Sequence, residues 1–180
     1  YAANNPYKFI DPDGRYECTA GRSDCARVER AVSQIHEAAK NAPNDSRIAQ
    51  VSQFLGKPGE QNGVVISDKL ADSRNLGEAT SVDGEGVHIG LNFGALQDND
   101  RLSSVAMHEG SHGVDHRISG LGEGIRARRR SALETTEHRA SVAQARMFEA
   151  LNRNEPFGLF GVDSGINWGK INDQMQRSVD

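Results

Sequence analysis

The segment His108-Glu109-Gly110-Ser111-His112 sets two imidazoles four residues apart, with a carboxylate directly after the first. No other stretch restricts the fold as strongly. On a helix, residues four apart lie about 6 Å from one another on the same side, so both rings reach a single ion. Glu109 points to the neighbouring side, where it meets a water on that ion without binding the ion itself. The pattern is the H-E-x-x-H of zinc sites, which supplies two ligands and a base. A chain that uses it must place a rigid helix here and bring a further ligand from elsewhere.

The flanking residues read as that helix, from Asn99 to Ile118, with Asp98 or Asp100 as its N-cap. Met107, Val114 and Ile118 fall on one side of the wheel and His108, His112 and Asp115 on another, so the histidine pair stands apart from the main apolar stripe. Gly110 and Gly113 each weaken the helix by about 1 kcal/mol relative to alanine, and leave room for another element or a substrate to approach. A catalytic zinc takes three protein ligands and keeps one open position. His116 is not the third, because it lies about 12 Å along the axis from His108. The longer pattern H-E-x-x-H-x-x-G-x-x-H also fails, with Ile118 in place of its last histidine. Asp115, one turn beyond His112, is a candidate to orient a ligand histidine through its second ring nitrogen, the alternative being a plain surface position.

The stretch Ser131 to Leu151 reads as a second helix, with Ser131 as N-cap and Glu134 as the returning half of a capping box. Leu133, Ala140, Ser141, Met147, Phe148 and Leu151 form one arc; Glu137 lies inside it and Glu134 at its edge. A carboxylate buried there without a partner would cost several kcal/mol. Glu137 therefore needs a cation or a strong hydrogen-bond network, with zinc the available candidate; the alternative is a side chain that snorkels or pairs with one of the nearby arginines. Glu134 is the alternative metal ligand, or caps the helix only. His138 points away from Glu137 and is read as a surface or substrate-side residue.

The remainder reads as α+β. Ser23 or Asp24 to Lys40 is an amphipathic helix carrying Val28, Ala31, Val32, Ile35 and Ala39, and Asp45 to Leu55 a second one carrying Ile48, Val51 and Leu55. Gly63 to Ser67 and Gly86 to Phe93 read as strands, the latter alternating Val87, Ile89, Leu91 and Phe93 against His88, Gly90 and Asn92. The tail from Asn152 to Asp180, rich in glycine around Phe157, Phe160 and Trp168, reads as a loop wrapping the body. Its aromatics are expected to cover the core more than to line a substrate pocket. Cys18 and Cys25 are taken as free thiols by default, a disulfide being the alternative outside the cytosol.

The 180 residues suffice for one domain with a real core, and 36% of them are hydrophobic. No run of about 20 apolar residues is present to span a membrane, and no signal sequence opens the chain. A net charge of −4 argues against a general nucleic-acid binder. The cluster Arg126, Arg128, Arg129 and Arg130 is the one contrary patch and is read as solvated.

His108-Glu109-x-x-His112, followed after a short spacer by Glu137-x-x-Ala140, resembles the short-spacer gluzincin peptidases over roughly residues 86 to 150. The resemblance implies a zincin-like fold, with a small sheet packed against the H-E-x-x-H helix and a second, ligand-bearing helix. It also implies zinc held by His108, His112 and Glu137, with Glu109 as general base for hydrolysis of a peptide bond. In such peptidases the strand before the motif helix commonly lines the cleft. An exposed edge there would take substrate main chain by strand addition, making His88 and Asn92 substrate contacts, with solvent exposure as the alternative. All three tyrosines precede the motif, so His88, His138, an arginine or zinc alone must stabilise the oxyanion.

A second resemblance lies at the start, where Tyr1-Ala2-Ala3-Asn4-Asn5-Pro6 and Asp11-Pro12-Asp13-Gly14 look like the end of the core shell of Rhs/YD-repeat proteins. It implies residues 1–15 as the end of that core and 16–180 as a metallopeptidase effector, a toxin delivered into a target cell by a bacterial secretion system. The partners it implies are a protein substrate, the parent Rhs shell and a cognate immunity protein. Two other readings stand beside this one. An inactive zinc-binding interaction domain would use the same ligands, and a toxic nuclease is a frequent Rhs cargo, though no nuclease pattern supports it.

Overall fold

The computed structural model describes residues 15–58, 62–82, 86–119 and 130–179. The expected Rhs junction lies outside them except for Arg15, as do Arg126, Arg128 and Arg129; Arg130 opens a helix. The architecture is α+β, with five helices and two sheets among the described residues.

The larger sheet is built from β1 (Arg15–Cys18), β2 (Lys57–Pro58), β3 (Val64–Ser67), β4 (Gly77–Val82) and β5 (Gly86–Leu91) in the order β2-β1-β3-β5-β4. Four strands run parallel, and β4 returns antiparallel at the edge, with Gly77 opposite Leu91 and Val82 opposite Gly86. Val64, Ile66, Val87, Ile89 and Leu91 are buried, which is the alternation expected where a sheet packs on helices. The sequence reading located β3 and β5 and missed β1, β2 and β4.

Helix α1 (Arg22–Asn41) buries Val28, Ala31, Val32, Ile35 and Ala38, and α2 (Ser46–Leu55) buries Ile48, Val51, Phe54 and Leu55. These match the stripes anticipated from the 3.6-residue period except that Ala38 is buried where Ala39 was expected, Ala39 being half-buried, and that Phe54 joins the α2 stripe. Asp45 caps α2 by accepting from the amides of Arg47 and Ile48 at 3.0 Å each. Helix α3 (Asn99–Ser119) carries the H-E-x-x-H residues and lies among α1, α2, α4, β4 and β5. Of the two candidate caps, Asp98 does the work, its carboxylate accepting from the Arg101 amide at 2.9 Å. Leu102 to Met107 is buried without a break, so this part of α3 has no solvent face. Helix α4 (Arg130–Ala150) begins one residue before Ser131, which is therefore inside the helix rather than its N-cap. The Glu134 side chain, and with it the capping box and the alternative-ligand role, lies outside the described part of the structure.

Two expectations are corrected. The tail is not a loop: β6 (Phe160–Gly161) and β7 (Gly165–Ile166) form a hairpin, and α5 (Trp168–Val179) follows and packs on α4. Ile171 is the buried anchor of α5, while Trp168 is half exposed. Cys18 and Cys25 are joined as a disulfide that ties the end of β1 to the first turns of α1, so the free-thiol default is replaced.

Candidate metal centre

α3 and α4 pack side by side, and their facing turns bring three donors together. His108 and His112 present Nε2 atoms 3.1 Å apart. The Glu137 carboxylate closes the triangle, with Oε2 at 3.3 Å from His108 Nε2 and Oε1 at 3.2 Å from His112 Nε2. Ligands bound to one zinc at 2.0–2.1 Å in a tetrahedral set stand about 3.3 Å from one another, so the spacing fits a single ion of that size. Two imidazoles and a carboxylate are also a donor set that zinc accepts. The three side chains are largely buried, at 12%, 15% and 18% exposure. Together they form a group that could hold a metal ion.

The electrostatics follow from this proximity. Burial alone would press both Glu137 and His108 toward their neutral forms. For Glu137, the hydrogen bonds from the two histidines outweigh burial and hold the carboxyl well below the usual range. For His108, the bond to Glu137 and the charges of Glu109 and Glu137 overcome burial, and the imidazole is pushed up to about 8. A site this favourable to positive charge, whether a proton or an ion, is what a cation centre requires.

Glu109 is buried at 7% exposure beside the triad. Burial raises its pKa, the charges of Glu137 and Glu78 add to the shift, and the two histidines oppose it. Its neighbour on the other side is Gly77, at the start of the edge strand β4. A methyl group there would lie 2.7 Å from Glu109 Cγ and 2.8 Å from Oε1, so the missing side chain is what admits the carboxylate. The two glycines of the motif helix serve packing: a Cβ on Gly110 would meet Val51 at 2.7 Å and one on Gly113 the Phe54 ring at 2.4 Å. The element that approaches there is α2.

The remaining candidates are placed elsewhere. His88 and Asn92 were expected along an exposed strand edge, but β5 is paired on both sides, with β3 and with β4. His88 bonds Ser67 Oγ at 2.7 Å. The Asn92 amide ties down the loop before β4 through the carbonyls of Ser73 at 3.0 Å and Asn75 at 3.3 Å. The edge strand beside Glu109 is β4, whose Gly-Glu-Ala-Thr-Ser-Val sequence has no apolar alternation to announce it. Asp115 is taken up by Arg47 at 2.8 Å and Arg139 at 2.6 Å. The partner at a ligand histidine's second nitrogen is instead Gln144, whose Oε1 lies 2.9 Å from His108 Nδ1. Arg47 also donates to Ser111 Oγ at 2.9 Å and to the Ser111 carbonyl at 2.7 Å, which locks α2 onto the motif turn. His116 faces away from the triad, with Nε2 at 3.2 Å from the Ala79 carbonyl, as its spacing required. His138 stacks on Trp168, ring centroids 6.4 Å apart, on the outer side of α4. Tyr16 is buried in the core.

Gln144, Arg47 and Gly77 were not singled out from the sequence. Gln144 had a signal, since it lies seven residues after Glu137 and hence on the same helical face. Gly77 and Arg47 had none. Compared with protein-family models, with curated proteins and with solved structures, the chain gives no match.

Proposed function

We propose that this chain is a zinc-dependent endopeptidase acting as the toxin end of an Rhs protein, delivered into a target cell where it cleaves a protein substrate. The observation that carries the reading is the convergence of His108, His112 and Glu137 at 3.1–3.3 Å with a buried carboxylate, Glu109, beside them. Zinc held there would supply Lewis-acid activation of a water and of the substrate carbonyl.

The protein's own part in the reaction is proton handling and positioning. Glu109, with its pKa raised by burial, takes a proton from the attacking water and returns it to the leaving amine. Its surroundings suit the accepting half of that task, because burial makes the carboxylate more basic. Strand β4 is the sheet edge next to Glu109, and we assign to it the substrate-binding role expected of a strand edge in this position: main chain adds to it by hydrogen bonding. The Rhs part of the proposal rests on the sequence of residues 1–15, and implies a parent shell and an immunity protein. The Cys18–Cys25 disulfide fits a protein that spends time outside a reducing cytosol.

The test is zinc content, toxicity and peptide hydrolysis of the wild type beside Glu109→Gln. Zinc retained with both activities lost is the expected result. Zinc retained with toxicity unchanged favours an interaction domain, and absence of zinc from both proteins overturns the site.

A further inference from the structure

A buried chain of hydrogen bonds leads from the candidate ligand His108 to a carboxylate that the proposed mechanism does not use. His108 Nδ1 meets Gln144 Oε1 at 2.9 Å, Gln144 Nε2 meets Ser104 Oγ at 2.9 Å, and Ser104 Oγ meets Glu155 Oε1 at 2.5 Å. Ser104, Gln144 and Glu155 are 0%, 2% and 3% exposed, so the chain runs beneath the surface. The other oxygen of Glu155 accepts from the amides of Phe157 at 2.8 Å and Leu159 at 2.9 Å, which anchors the carboxylate to the turn before β6.

We infer that Glu155 is a positioning residue that determines which nitrogen of His108 carries the proton, acting through Ser104 and Gln144. The direction follows from what each group can do. A carboxylate only accepts, so the Ser104 hydroxyl spends its single proton on Glu155. Its oxygen must then receive a proton from Gln144, and only the amide NH2 can give one. That turns the Gln144 carbonyl toward His108, where it is also approached by Gln174 Nε2 at 3.4 Å. A carbonyl accepts, so His108 carries its proton on Nδ1. Nε2 is left with a bare lone pair, and Nε2 is the atom that faces His112 and Glu137. The chain thus holds His108 in the one neutral tautomer that can bind a cation there.

The inference rests on the metal reading above, and its test separates the two. In Glu155→Gln, the side-chain carbonyl keeps the two backbone amides and the NH2 group faces Ser104. Ser104 then donates to Gln144, the Gln144 amide turns over, and its NH2 group forces the His108 proton onto Nε2. Gln144→Glu presents an acceptor to His108 whichever way the chain runs. With zinc as the probe and a chromophoric chelator as competitor, Glu155→Gln is expected to bind roughly 10- to 100-fold more weakly. The double variant Glu155→Gln/Gln144→Glu is expected to return to wild-type affinity. Long-range 1H–15N spectra of the metal-free proteins above pH 8, recorded in a Glu137→Ala background where no carboxylate draws the proton to Nε2, should show the His108 proton on Nδ1 with Glu155 present and on Nε2 in Glu155→Gln. If Glu155→Gln does not fold, Ser104→Ala breaks the same chain and takes its place, again with Gln144→Glu as the rescue. Equal zinc affinity in wild type and broken-chain variant, or weakening that Gln144→Glu does not repair, would overturn the inference. A wild type that takes up no zinc sinks the metal reading, and the nitrogen spectra then decide the inference on their own.

Discussion

Gly77 lies against Glu109 so closely that a single methyl group on it would overlap the carboxylate side chain, at 2.7 Å from Cγ and 2.8 Å from Oε1. The edge strand and the candidate base are therefore one fitted unit. The same methyl would also meet Val105 Cγ1 at 2.7 Å.

Gly77→Ala is accordingly expected to push Glu109 out of place while leaving the three candidate ligands where they are. Hydrolysis should fall at least tenfold with zinc affinity within a few-fold of wild type. Overpacking of this size costs about 1–3 kcal/mol, so a modest drop in melting temperature should accompany it. A parallel loss of zinc would show that the strand supports the ligands and not the base.

The second prediction concerns pH. In the metal-free protein His108 is raised from 6.5 to about 8, so its charged form contributes stability that is complete below pH 6.5 and is lost as pH rises through 8. Glu137 is shifted the other way, and its contribution is present above pH 4.5 and is lost as pH falls below that. Metal-free protein should thus be most stable between those two values and lose on the order of 1–2 kcal/mol on going from pH 6 to pH 8.5. Zinc reverses the slope, because it competes with the proton for the same lone pair and binds more tightly as the proton leaves. Thermal melts across this range, with chelator and with zinc, should show opposite trends. Parallel trends would mean that zinc binds elsewhere.

A third expectation follows from the Cys18–Cys25 disulfide, which spans a sequence separation of 7. Closing so short a loop stabilises by roughly 2–3 kcal/mol in the chain-entropy description. Reduction, or the Cys18→Ser/Cys25→Ser double variant, should lower the melting temperature by about 5–10 °C. Zinc affinity should not change, since the bond joins β1 to α1 and touches neither ligand helix. A reduced protein as stable as the oxidised one would show that the sheet alone fixes this corner.

Helical period made α1, α2 and the body of α3 and α4 legible in the sequence, because each has a stripe of apolar residues at three- and four-residue spacing. It also brought out Glu137, a carboxylate on an apolar arc that the structure places beside the two histidines. Strand β4 was not legible, since Gly77 to Ser81 are half-buried, Val82 is exposed, and no alternation results. Helix α5 was hidden for a similar reason: it buries Ile171 but little else, and it begins at Trp168-Gly169 in a glycine-rich run. His88 and Asn92 were misjudged because alternation along Val87 to Phe93 identifies a strand but not its place in the sheet. Only pairing decides whether a strand has a free edge. Glu155 had no local signal at all, as its significance depends on Ser104, 51 residues earlier.

That separation along the chain has a bearing on how the protein matures. The three candidate ligands have all been synthesised by residue 137, yet the group that sets the His108 proton comes 18 residues later, in a turn held between α4 and β6. A nascent or clipped chain ending before Glu155 would possess every ligand and still present His108 without its tautomer fixed. Under the proposed tautomer control, tight uptake of metal waits on the turn that carries Glu155 and not on the ligands themselves.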